Sequence, residues 1–236
     1  MYLTRFRFNT ARTGARRLLT SPQILHAAVM QSFANVPALP DGNSPRVLWR
    51  LDRNANNQVL LYIVSPDRPD LTHIVEQAGW PTTGSWDSFA YAPFLDKLTA
   101  GDIWTFRLTA NPVHSIRTRD GEPTKRTAHI TVRHQLGWLL KQQERAGFTI
   151  CEQPKELPRP TDMDEYQVVV HDRRSLDFTK KDPARSSKIN NVQILTVTYD
   201  GRLRIDDPDK VRAVLTTGLG KAKAYGCGLM TLAPAQ

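Results

Sequence analysis

Three sets of residues offer chemistry beyond packing. His26 lies two positions after Ile24, and its imidazole titrates near neutrality, so it can take or give a proton. The segment from Gly218 to Pro234 reads GLGKAKAYGCGLMTLAP, with Gly218, Gly220, Gly226 and Gly228 bracketing Lys221 and Lys223. Glycines placed this way would let backbone N–H groups and both ammonium groups reach one phosphate. The third set is an excess of 32 Lys+Arg over 23 Asp+Glu, a net charge of +9 on 236 residues. Together they fit attack on an RNA phosphodiester by its own 2′-hydroxyl. That reaction removes one proton from the hydroxyl, supplies another to the departing 5′-oxygen, and gains from lysines that stabilise the added negative charge without a metal. Each set also has a structural reading: a surface histidine beside an apolar stripe, a helix C-cap followed by turn glycines, and a solvated basic face.

The charge is grouped. Arg5, Arg7, Arg12, Arg16 and Arg17 all precede the first acidic residue, Asp41. Further basic blocks run over 113–141 and 171–199, whereas 142–170 is net acidic. Blocks from several chain segments are what a polyanion-binding face needs. Zinc-finger and metalloprotease patterns are absent, since His129 and His134 lie five apart without a nearby cysteine. Gly220-Lys221 lacks the upstream glycine and following Ser/Thr of a phosphate loop, and no G-x-S-x-G occurs. With Cys151 and Cys227 alone, neither a disulfide framework nor a clustered metal site is indicated, and the expectation is no metal and no cofactor. No run approaches the roughly 20 apolar residues that span a bilayer, so a soluble, cytoplasmic chain with no membrane partner is expected.

The elements that must position these residues follow from periodicity. Tyr2 to Phe8 alternates as a strand; Ser21-Pro22 opens a helix carrying Ile24, Leu25, Ala28, Val29 and Phe33. Residues 47–51 and 59–64 form a hairpin, 70–77 a short helix, and 103–110 a strand. That order, β-α-β-β-α-β over 1–112, is a ferredoxin-like unit. The second half, 113–236, gives helices at 134–146 and from 206, strands at 166–171, 192–199 and 228–232, and a long proline-containing loop at 152–164. The fold class is therefore α+β, with one unit over 1–112 and a similar one over 113–236.

Three segments in order, the arginine-rich loop Ala15-Arg16-Arg17 before the helix with His26, Phe106-Arg107-Leu108-Thr109-Ala110-Asn111-Pro112, and the glycine-rich tail, resemble the CasE family. These are the CRISPR RNA-processing endoribonucleases of subtype I-E Cascade, and the resemblance covers essentially the whole chain. It implies two tandem ferredoxin-like domains of the RAMP type and metal-independent cleavage of precursor RNA at the 3′ base of each repeat hairpin. It also implies product retained in Cascade beside other subunits, among them a backbone subunit. The family's catalytic histidine falls on His26; a tyrosine three positions earlier in some relatives is Gln23 here. The family's basic loop falls on 180–188, which implies Lys181 beside the scissile phosphate and Lys180, Arg185 and Lys188 on the RNA backbone. Arg16 and Arg17 match the family's arginine pair and are assigned to phosphates. Arg173 and Arg174 are candidates for guanine edges, with pairing to Asp172 or Asp177 as the structural alternative. The competing functions are an inactive hairpin-binding subunit and a basic RNA chaperone.

Overall fold

The structure, a computed structural model, describes residues 1–34, 46–54, 56, 58–80, 86–117, 124–154, 165–182 and 185–235; between 180 and 190 it describes backbone alone. The chain opens with strand β1 (Tyr2–Phe8), helices α1 (Thr13–Thr20) and α2 (Pro22–Met30), strands β2 (Leu48–Arg53) and β3 (Val59–Ser65), helix α3 (Thr72–Ala78) and strand β4 (Asp87–Ala90). These strands make an antiparallel sheet in the order β2-β3-β1-β4. After the single turn α4 (Ala92–Leu95) come β5 (Ile103–Ala110), β6 (Val113–Ile116), β7 (Lys125–Ala128), α5 (Val132–Leu140), α6 (Gln143–Ala146) and β8 (Phe148–Ile150). The chain closes with β9 (Val168–Asp182), β10 (Arg185–Ile205), α7 (Pro208–Thr217), a 3-10 turn (Lys223–Tyr225) and β11 (Met230–Pro234). The second sheet runs β11-β5-β10-β8, with β9 paired to β10 and β6-β7 a separate hairpin. With β9 and the β6-β7 hairpin set aside, both sheets have the order fourth-first-third-second, so the ferredoxin-like arrangement occurs twice.

Three expectations need correction. The strand at 103–110, expected to close the first sheet, pairs with β10 and β11 in the second. The first sheet is closed by β4, whose four residues Asp-Ser-Phe-Ala carry too little apolar alternation to announce a strand. The arginine-rich segment expected as a loop is helix α1: Ala15 and Leu18, one helical turn apart, are buried, while Arg16 and Arg17 face solvent. Of the basic loop expected at 180–188, residues 180–182 lie on β9 and 185–188 on β10, and the two strands form a long antiparallel ribbon. Its serines, lysines and arginines hide a strand because a two-stranded ribbon needs no buried face along its whole length.

Elsewhere local chemistry sets the boundaries as expected. Pro22 starts α2, and Gly147 at φ 77° ends α6 in the left-handed conformation that a side chain resists. Asp207 caps α7 by accepting hydrogen bonds from the backbone N–H groups of Asp209 and Lys210, at 3.1 and 3.2 Å.

Alternation along β2 and β3 separates two cores. Trp49, Leu61 and Ile63 pack with Phe6, Phe8, Leu25 and Val29 against the helices of the first unit. Leu48 and Val64 point the other way, into the core of the second unit around Phe106, Leu108, Trp138 and Tyr199. On that second face Arg50 is 1% exposed. Its Nε and one terminal nitrogen donate to Asp52 at 2.6 and 2.9 Å. The remaining donors reach the carbonyls of Arg107 and Leu229 at 2.8 and 3.0 Å and the Thr231 hydroxyl at 2.9 Å. Arg50 thus ties β2 to β5 and β11. Arg50→Met should lower stability by about 3 kcal/mol, because it leaves Asp52 buried without its main partner and several acceptors unmet. Urea unfolding followed by fluorescence should show the lower midpoint.

Candidate active site and nucleic-acid interface

His26 is half-buried on α2, one residue after the fully buried Leu25. The Trp49 indole N–H donates to its Nδ1 at 3.2 Å, so a strand residue 23 positions away orients the ring. No spacing rule reveals this interaction, since it depends on β2 lying beneath α2.

The tail completes the surroundings. Its 3-10 turn packs against α2 and β2, and Tyr225 meets the Phe178 ring of β9 at 4.7 Å between centroids. Gly218, Gly220, Gly226 and Gly228 all have φ between 80° and 88°. At Gly226 a Cβ would also lie 2.7 Å from Cζ3 of Trp49, so only glycine lets the tail seat against that ring. Gly218, Gly226 and Gly228 are buried. Their burial and left-handed conformation fit the structural reading, in which these glycines position the tail.

Lys221 is exposed, whereas Lys223 is half-buried. The Lys223 ammonium donates to the Thr217 carbonyl at 2.7 Å, capping the C-terminal end of α7. Burial first, then Arg46, Arg145 and Lys221, push its pKa down to about 8. A buried Nε of Arg46 has no hydrogen-bond partner among the described residues. The two lysines expected to act alike therefore differ: Lys221 is open to a phosphate, and Lys223 is already engaged.

The β9-β10 ribbon borders the same place. Between it and the helices lies a cavity of about 90 Å³ lined by Leu25, Trp49, Leu51, Arg53, Arg174 and Tyr225 among others. Arg174 is exposed but pairs with Asp172 at 2.7 Å, and Arg173 donates to the Ile130 carbonyl at 3.1 Å. The ion-pair alternative thus describes Arg174 in this structure. Asp172 holds φ 49°, a left-handed conformation at the irregularity where the register of β9 on β10 shifts between Thr196 and Thr198. Arg53, beside Arg174, is pushed below the usual guanidinium range by burial first and then by that neighbour. Lys181 pairs through its backbone with Ile189, and Lys180 with Asn190. The side chains of Lys180, Lys181, Arg185 and Lys188 lie outside the described residues.

The fold therefore gathers His26, the α1 arginines, the tail and the base of the ribbon around α2. A larger hollow of about 650 Å³, over Arg107, Tyr166, Val168, Asp200 and Leu232 of the second unit, contains none of these groups. Sequence reasoning also passed over a stack of imidazoles, His114 on His129 at 4.4 Å and His129 near His134 at 5.8 Å. Burial and then those two neighbours lower the His129 pKa. Among the described residues no group of three or more His, Cys, Asp or Glu is placed to hold a metal ion, and no helix is long and apolar enough to cross a membrane.

The Lys223 shift has a sign. Between about 8 and the ordinary 10.5 the unfolded chain binds the extra proton, so this group adds stability as pH rises through that window. Amine acylation followed by peptide mass spectrometry should label Lys223 half-maximally near pH 8.

The sequence profile of the family described as "CRISPR associated protein" matches residues 1–234. The CRISPR-associated endoribonuclease Cse3 of Thermus thermophilus is 30% identical over 236 residues, covering 99% of this chain and 100% of that protein. A structure of the CRISPR endoribonuclease Cse3 bound to a 19-nucleotide RNA superposes with a TM-score of 0.74 at 29% identity, covering 99% of this chain and 100% of the other. Thermus thermophilus Cse3 bound to an RNA representing a pre-cleavage complex gives 0.70 at 28% identity, covering 99% and 98%.

Proposed function

The chain belongs to the CRISPR associated protein family, and from that membership we propose that it is an endoribonuclease. It cuts CRISPR precursor RNA at the 3′ base of the repeat hairpin and keeps the product. The observation that carries this reading is the half-buried imidazole of His26 placed between basic helix α1 and the base of the β9-β10 ribbon.

The RNA-cleaving step needs no group beyond side chains. The 2′-oxygen attacks the adjacent phosphorus, the bond to the 5′-oxygen breaks, and a 2′,3′-cyclic phosphate or its hydrolysed 3′-phosphate remains opposite a 5′-hydroxyl. His26 is the residue that touches the reacting atoms. Lys181, whose backbone places it at the outer part of the ribbon, supplies charge to the phosphorane. Arg16, Arg17 and Lys221, all exposed, hold phosphates, as do Lys180, Arg185 and Lys188 on the ribbon; Arg173 and Arg174 stand where the ribbon leaves the cavity. A double-stranded stem hides its bases in a deep, narrow groove, so such contacts read shape and backbone, and the ribbon is the element slender enough to reach into a distorted groove. Sheet membership supports a division between the two units after α4 in place of residue 112.

Product retention follows from the same geometry. Contacts to the stem do not change when the phosphodiester below it is cut, so the protein stays on the mature RNA and enters Cascade with it, against a backbone subunit.

His26→Ala should bind a repeat hairpin with unchanged affinity and cleave it at least about 100-fold more slowly than wild type in single-turnover assays containing EDTA. Wild type that binds tightly without cutting would instead favour a purely structural hairpin-capping subunit, and His26→Ala that cuts normally would remove His26 from the mechanism. Replacing Arg16 and Arg17 by alanine should reduce the slope of log affinity against log salt by about one for each phosphate no longer neutralised, across all hairpin sequences alike.

A further inference from the structure

We infer that Trp49 is a positioning residue that fixes the tautomer of His26. This rests on the catalytic reading of His26 given above. The indole carries one N–H donor and no acceptor, and it is aimed at Nδ1 at 3.2 Å. A neutral imidazole has one donor and one acceptor, so the nitrogen facing Trp49 holds the lone pair and the proton sits on Nε2. The alternative tautomer, and the imidazolium, would set two N–H groups face to face and leave the indole donor of a residue only 2% exposed without its acceptor.

Trp49 cannot readily swing aside. Its neighbours on β2, Leu48 and Arg50, are both buried in the opposite face, and the tail backs its six-membered ring so closely that Gly226 has no room for a Cβ. Among the described residues, charged and titratable groups on the packed elements include Arg16 and Arg17 on α1, Arg53 on β2, Asp172, Arg173, Arg174 and Asp177 on β9, and Lys223 and Tyr225 in the tail, with Arg50 and Asp52 turned to the other face of β2. Several are already engaged, Arg174 with Asp172, Arg173 with the Ile130 carbonyl and Lys223 with Thr217.

The consequence is a division of roles. With Nδ1 occupied by Trp49, the ring offers an N–H donor at Nε2, and not a base, to a phosphodiester oxygen. His26 then donates a hydrogen bond where negative charge accumulates, on the phosphoryl oxygens, while the proton lost by the 2′-hydroxyl and the one gained by the departing 5′-oxygen are exchanged with water, and the glycine-rich tail serves the site by holding Trp49 in place.

Two variants test this. Trp49→Phe removes the donor, and replacement of Trp49 by 3-benzothienylalanine removes the N–H while keeping ring volume against Gly226. In both, single-turnover cleavage of a repeat hairpin should fall about 10- to 100-fold with unchanged hairpin affinity. Nitrogen-15 NMR should place the wild-type proton on Nε2 of His26. In the benzothienyl variant the nitrogen-15 shifts should show the proton shared between Nδ1 and Nε2, because no donor selects one nitrogen. The Trp49 indole resonance should move in His26→Ala. Unchanged nitrogen shifts, or wild-type cleavage by the benzothienyl variant while His26→Ala is inactive, would overturn the inference and leave the catalytic reading standing. If His26→Ala cleaves normally, the catalytic reading itself fails and the positioning role fails with it.

Discussion

Arg50 is a guanidinium with 1% exposure in the interior of a 236-residue protein, and the arrangement around it depends on its being satisfied. An isolated charge there would be prohibitive, yet its five hydrogen bonds go to Asp52, to two backbone carbonyls and to a hydroxyl, three of them across to β5 and β11. The carbonyl partners matter as much as the carboxylate. They fix β2 against β5 and β11 in one register, which a purely apolar seam between two sheets would specify less sharply. The network extends outward, since Arg107 meets Asp52 at 3.5 Å and pairs with Asp200, which also meets His171 at 3.0 Å. Asp200 holds Arg107 above the usual guanidinium range, chiefly through their hydrogen bonds, so that pair stays charged at any working pH.

One strand therefore serves two purposes by alternation. Leu48, Arg50 and Asp52 face the second unit, and Trp49 and Leu51 face the helices that carry His26. Any slip of β2 by one residue would exchange the two sets, breaking the seam and removing the indole from His26 together. The tail is subject to the same constraint from its other end. Arg50 donates to Leu229 and Thr231 just after Gly226 and Gly228, so the pairing that joins the units also presses the tail onto the Trp49 ring.

How much of this could be read from the residues varies with the range of the interaction. Strand β1, the β2-β3 hairpin, α2, α3 and α7 were legible because their apolar periods and capping residues are local. The placement of 103–110 was not, since Phe106, Leu108 and Ala110 alternate the same way whichever sheet they join. The ribbon was hidden by its composition, and β4 by its shortness. His26 was legible through the family resemblance alone; judged by its neighbours it reads first as a surface histidine beside an apolar stripe. Trp49 was not legible at all as part of the site, because a buried tryptophan on an alternating strand is an ordinary core residue until the imidazole above it is seen.

The net charge of +9 shows the same limit from another direction. Arg50, Arg107, Arg212, Arg174 and Lys223 count fully in that sum, yet each spends its charge on a carboxylate or a carbonyl within the fold. Arg212, for example, donates to the carbonyls of Leu95 and Leu98 and so holds the end of α4 to α7. Arg16, Arg17 and Lys221, by contrast, are exposed and sit on α1 and the tail, the two segments that flank α2. The excess of positive charge is thus a poor measure of the interface. A better one is which cations near His26 stay open to solvent after internal pairing, because only those can exchange their hydration for a phosphate without breaking the fold.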